Sequence, residues 1–169
     1  MKIFGPKLLS TIAFYSFRTI AVLLLVFIIY VDLSFLADNF TEENGRYYMN
    51  IPFIGEIKGD YRFNVILTIT LGTIFGVLFF WVLSNIFKEL SKKVIFNRKS
   101  IKNLKYFTAL NLIVGPILYV LIHYPIMQKT DFRDIHNLIL HLIFGMIAFF
   151  LTYIFKKGYS VQSENDLTI

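Results

Sequence analysis

The sequence predicts an all-α membrane protein: a four-helix transmembrane bundle, N-in/C-in, with a short β-hairpin in the first outer loop. Three observations carry this expectation. Four long apolar stretches, at about 12–31, 65–87, 107–124 and 135–155, approach or exceed the roughly 20 residues that cross a ~30 Å hydrocarbon layer at ~1.5 Å per helical residue. The 169 residues are 56% hydrophobic with a mean hydropathy of +0.63, more apolar surface than a soluble domain of this length hides. Charge also alternates between the connections. Lys88–Lys105 holds seven basic residues against Glu89 alone, whereas Asp32–Asn64 has six acids and three bases, and Pro125–Asn137 has two of each. Lys and Arg accumulate in cytoplasmic loops, which places both termini and the middle loop inside and the other two loops outside. The net charge of +6 is therefore read as topology and not as a nucleic-acid footprint. The spans and their short connections use up the length, so residues 1–169 read as a single four-span domain.

The first span follows Lys2 and Lys7, a signal-peptide-like start, but Ile12–Val31 is longer than a usual signal core and is expected to stay as a helix. Arg18 lies near its inner end, where its stem can run along the helix while the guanidinium reaches the headgroups. In the loop that follows, Ile51, Phe53, Ile57, Tyr61 and Phe63 are interrupted by Pro52, Gly55 and Gly59. This pattern allows a short hairpin turning at Gly59-Asp60, read either as a ligand-sensing cap or as a connector resting on the headgroups.

The second span carries Gly72 and Gly76, a small-xxx-small pair that lets another helix approach closely, within the monomer or between copies. Trp81 suits the inner interface. Beyond it, Ile86, Phe87, Leu90 and Val94 share one helical face, so the helix is expected to continue as an amphipathic extension through Ile95. That extension can lie on anionic lipid or present a docking face to a cytoplasmic protein. Asn97 is the expected N-cap of the next helix, opening at Arg98. Pro116 inside the third span removes a backbone hydrogen bond and is expected to bend it. The fourth span begins near Asp134 or Ile135, and Lys156-Lys157-Gly158 reads as its stop. The polar remainder is expected to be a flexible tail or a short acidic docking peptide.

Little enzyme chemistry is on offer. The chain has no cysteine, which excludes disulfides, thiolate metal sites and cysteine nucleophiles. Nucleophile elbows, phosphate loops and acids in mid-span are missing. His123, His136 and His141, with Asp131 and Asp134 nearby, are the weak metal candidates. However, His136 and His141 stand five residues apart, about 140° around a helix, and cannot share one ion on a regular helix. The expectation is no enzyme, no cofactor and no metal. A polar line through Thr68, Asn111, His141 and Thr152 is what a small transporter, channel subunit or transporter accessory protein would use.

Two stretches carry a family resemblance. The final segment, Phe155-Lys-Lys-Gly-Tyr-Ser-Val-Gln-Ser-Glu-Asn-Asp-Leu-Thr-Ile169, resembles the C-terminal signature of a bacterial inner-membrane family, domain-of-unknown-function family 2975. Phe96-Asn-Arg-Lys-Ser-Ile-Lys-Asn-Leu-Lys105 resembles its middle-loop signature, with Asn97 where the family often has Thr and Lys99 where it often has an acid. The resemblance implies four transmembrane helices, a bacterial inner-membrane location, no associated enzymatic activity, and frequent genetic neighbourhood with a small helix-turn-helix regulator of the Xre type. On that basis the expected function is a non-enzymatic membrane regulator or scaffold that sequesters or modulates such a regulator. An outward-facing sensor is a further alternative. The nominated partner contacts are Lys92, Lys93, Arg98, Lys99 and Lys102 in the loop, with Gln162, Glu164, Asp166, Leu167 and Ile169 in the tail. Membrane lipids, the DNA-binding protein and a second copy are the expected partners, with no direct nucleic-acid contact.

Overall fold

The computed structural model describes residues 5–131 and 135–166, apart from the side chains of Pro6 and Asp166. Four helical segments, Lys7–Leu36, Phe63–Leu90, Arg98–Ile126 and Ile135–Asn165, are long and apolar enough to cross a membrane. Helix α1 (Pro6–Leu36) opens with proline in its first turn, where the missing N–H has no intrahelical partner to lose. Helix α2 (Phe63–Leu90) follows the first loop. The third segment is α3 (Arg98–Ala109), a π turn (Leu110–Val114), α4 (Gly115–Leu121) and a second π turn (Ile122–Ile126). Helix α5 (Ile135–Asp166) completes the chain.

The helices pack in sequence order: α1 lies on α2, α2 on α3, and α3 on α5. Local contacts fix which ends coincide. Arg18 of α1 donates to Asn85 Oδ1 of α2 at 2.6 Å, and Asn103 of α3 reaches Asn85 O at 3.3 Å. Phe96, just before α3, packs edge-on against Phe155 of α5 with ring centroids 5.1 Å apart. The start of α1, the 91–97 connection and the end of α5 therefore share one end of the molecule, which is also its basic end. Arg18 turns toward α2. Its guanidinium lies 3.5 Å from the centroid of the Trp81 ring, so its charge is held between Asn85 and an aromatic face.

At the opposite end a three-stranded antiparallel sheet, order β1-β2-β3, joins α1 to α2: β1 is Thr41–Glu43, β2 Arg46–Ile51 and β3 Gly55–Asp60. The expected turn at Gly59-Asp60 is not a turn. Both residues lie in β3, Gly59 opposite Tyr47 and Asp60 opposite Arg46. A Cβ on Gly59 would fall 2.8–2.9 Å from Tyr47 ring atoms, so this glycine leaves room for a ring lying across the sheet. The turns are Asn44-Gly45, both at positive φ, and Pro52-Phe53-Ile54. Asn-Gly is the sequence signal of a two-residue hairpin loop. Tyr47, Met49 and Ile51 are buried against Val31, with Phe27, Tyr30, Phe35, Phe40 and Ile57 packed around them.

Three other expectations change. Helix α2 ends at Leu90 and does not continue to Ile95: Ser91 bonds back to Lys88 O at 2.9 Å, and residues 91–97 turn the chain. Helix α5 does not stop at Gly158 but runs on through Asp166. Where a bend is expected at Pro116, the helix carries a π turn that ends two residues earlier at Val114, and Pro125 sits inside the second π turn.

Candidate functional site

At the basic end, Asn97 caps α3 as its sequence position predicts, its Oδ1 accepting from Ser100 N at 2.9 Å. The cap sets Phe96 and Arg98 on either side of the turn, and both reach α5. Arg98 Nε donates to Tyr159 Oη at 3.1 Å. The Phe96 ring covers Gly158 so closely that a Cβ there would lie 2.7–2.9 Å from three ring atoms. Gly158 is thus a mid-helix contact point and not a stop. The middle loop and the final helix form one surface, clasped by Phe96, Phe155, Gly158 and Tyr159.

Two concavities flank the clasp. One, about 360 Å³, is lined by Glu89, Lys92, Val94, Asn97, Arg98 and Lys99. The other, about 600 Å³, is lined by Phe96, Ile154, Lys157, Gly158, Val161, Gln162 and Asn165. Of the nominated contacts, Lys92, Lys93, Arg98, Lys99, Lys102 and Glu164 are exposed and Gln162 is half-buried. They are not equivalent. Lys92 Nζ is held by the buried Glu89 carboxylate at 2.6 and 2.7 Å, Lys102 Nζ stands 5.5 Å from the Tyr106 ring centroid, and Glu164 accepts from Ser160 at 3.1 Å. Leu167 and Ile169 lie outside the described residues, as does the Asp166 side chain. The aromatic clasp was missed in the sequence, although Phe96 and Tyr159 stand inside the two signature stretches.

Within the spans, the first π turn turns Asn111, fully buried, toward α5. Its Nδ2 donates to Phe107 O at 2.9 Å, which leaves Oδ1 to accept from His141 Nδ1, also at 2.9 Å. The bond requires the proton on Nδ1. Phe75 and Phe79 meet the imidazole edge-on, with centroids 4.8 and 5.8 Å away. A Cβ on Gly145 would come within 2.5–2.6 Å of Leu112, so the glycine is what lets the π turn touch α5. The rest of the expected polar line does not join this pair. Thr152 donates to Ala148 O at 2.7 Å and Thr68 to Asn64 O at 2.8 Å, each satisfied by its own helix. Below the pair, an apolar cavity of about 470 Å³ opens between α1, α2, α3 and α5, with Phe17, Phe79, Phe107 and Phe144 among its walls.

At the sheet end, His123 is buried, stacked on Tyr119 at 5.2 Å, and its Nε2 meets the Asp131 carbonyl. It lines a cavity of about 220 Å³ with Thr68, Lys129 and Asn137. His136 is exposed. Asp134 lies outside the described residues, and among those described no three His, Asp or Glu side chains gather as a metal site. In the sheet, burial pushes the Tyr47 phenol above its usual 10.0.

A family model described as "Protein of unknown function (DUF2975)" matches residues 54–169, which include β3, the last three membrane-length helices, the clasp and the π turns. The chain belongs to this family. No curated protein and no solved structure matches it. The family resemblance read from the middle loop and the tail is thereby confirmed, and both signatures fall on the two sides of the Phe96–Gly158 contact.

Proposed function

We propose that this member of the DUF2975 family is a multi-pass inner-membrane protein with both termini in the cytoplasm, and that it acts as a non-enzymatic scaffold for a small cytoplasmic protein. The basic end faces the cytoplasm, as the bias of Lys and Arg requires. The observation that carries the reading is the clasp. Separate cytoplasmic segments become one rigid surface, basic on the loop side and more acidic toward the end of α5. The first candidate partner is a small helix-turn-helix regulator of the kind the family resemblance implies, whose DNA-facing charge suits the acidic side. Such complementarity sets encounter rate and orientation more than affinity.

The test is a pull-down with the full chain in mild detergent, scored for a small helix-turn-helix regulator among the recovered proteins. Retention should be lost on Glu164→Lys combined with Asp166→Lys. Equal retention by the parent and the doubly substituted chain, or by neither, overturns the docking surface. A second reading, a small transporter or channel subunit, is favoured by the Asn111–His141 pair alone. Solute flux in proteoliposomes that disappears with His141→Leu would establish it.

A further inference from the structure

The sheet does not stand away from the helices; it runs back along α1. At its far end, Tyr47 packs edge-on against Phe35 with centroids 5.0 Å apart. Three residues later, Asn50 O accepts from Tyr30 Oη at 3.0 Å. Three strand residues span ~10 Å and the five helical residues from Phe35 to Tyr30 span ~7.5 Å, so β2 and α1 keep pace in opposite directions. Phe27, a further turn back along α1, packs on the same cluster. The turn after Ile51 therefore lies at or beyond the level of Tyr30, which is one of the last residues of the first apolar stretch.

Polar groups mark where that level is. Asp32 Oδ1 accepts from Thr70 at 2.8 Å, close by in α1. Glu56 stands opposite Asn50, and Lys58 opposite Tyr48. Between these charges and the tip, the five residues Ile51-Pro52-Phe53-Ile54-Gly55 carry none. At the tip Phe53 is 108% exposed and Ile54 63%. Phe53 is held at φ +67°, a conformation a bulky side chain rarely adopts, and Ile54 N closes the turn on Ile51 O at 3.2 Å. A strained turn that projects its only two large apolar side chains needs an apolar surrounding to receive them.

We propose that this turn is a lipid anchor, with Phe53 and Ile54 inserted into the acyl region of the outer leaflet while Tyr30, Asp32, Glu56 and Lys58 lie among the headgroups. The occupant is the phospholipid leaflet in which α1 stands. Tyrosine at the boundary and apolar residues just inside it are the arrangement that interfacial segments use. The closed turn limits the unsatisfied backbone that lipid would penalise. The anchor rests on the membrane reading above and adds to it that the outer cap is held by lipid as well as by α1.

The absence of cysteine makes the test direct. Phe53→Cys, Ile54→Cys, Glu43→Cys and Ile143→Cys each receive a nitroxide label, and the protein is reconstituted in phosphatidylethanolamine/phosphatidylglycerol vesicles. Spin-label collisions are then measured with oxygen and with a water-soluble nickel chelate. Labels at 53 and 54 should shift to oxygen-favoured collision, as at Ile143 on the exposed face of α5, while Glu43 in β1 favours nickel. Nickel-favoured labels at 53 and 54 beside an oxygen-favoured Ile143 overturn the anchor and leave the membrane reading standing. A nickel-favoured Ile143 overturns both. Low collision with either reagent at 53 and 54 shows protein covering the tip and also overturns the anchor. Phe53→Trp in a Trp81→Phe background, quenched by brominated acyl chains, gives the same answer without a label.

Discussion

Substituting Gly158 by alanine separates a helix stop from a packing contact. In an exposed helix interior, Gly→Ala gains roughly 0.5–1 kcal/mol because the glycine backbone loses more freedom on folding. Here the new methyl would sit 2.7–2.9 Å from three atoms of the Phe96 ring, which is itself held edge-on by Phe155. Overpacking of that kind costs about 1–3 kcal/mol, so the expected net change is a loss of up to about 2.5 kcal/mol. The sign should reverse when the ring is gone. In a Phe96→Ala background, Gly158→Ala should recover the propensity gain of about 0.5–1 kcal/mol, giving a coupling on the order of 1–3 kcal/mol between the two positions. Gly72→Ala is the matched control, because a Cβ there meets nothing within 4 Å. The assay is equilibrium unfolding in mixed micelles of increasing denaturing-detergent fraction, followed by far-ultraviolet circular dichroism, on all four combinations and the control. A Gly158→Ala chain more stable than its parent, or an effect of equal size with and without Phe96, would refute the clasp.

Other outcomes follow from the same contacts. Asn111→Leu strands the His141 Nδ1 proton in an apolar setting and should cost about 1–3 kcal/mol in the same unfolding assay, whereas adding His141→Leu should restore part of that loss. Arg18→Leu should raise acrylamide quenching of Trp81, the only tryptophan, because the guanidinium now covers its ring; Lys7→Leu should leave it unchanged. Tyr47 has a folded-state pKa raised above 10.0, so the stability its neutral phenol contributes is complete below that pH and is lost as pH rises through the higher folded value. Tyrosinate absorbance should lose a late-titrating component in Tyr47→Phe, and a titration unchanged by that substitution would contradict the burial of Tyr47.

Of the fold, the sequence determined whatever depends on composition and period. Four apolar runs of membrane length dictate four helices, because only a hydrogen-bonded helix satisfies a single apolar segment's backbone in lipid. Asn97 dictates a cap because its side chain reaches the N–H groups at a helix start. The signature stretches around Phe96 and Phe155 were legible for the same local reason. What the tertiary structure alone decided is which neighbour each small residue meets. Gly158, Gly145 and Gly59 read as a stop, as nothing in particular and as a turn, yet each turned out to be where a ring or a leucine from a distant segment lies against the backbone. Gly72, which looked like half of a packing motif, faces open space, and Gly76 alone meets α1, through Leu24 at 3.6 Å. A glycine's own sequence neighbours are the same whether its missing Cβ serves a turn or a contact. The difference comes from a side chain on another element, and only the folded chain brings the two together.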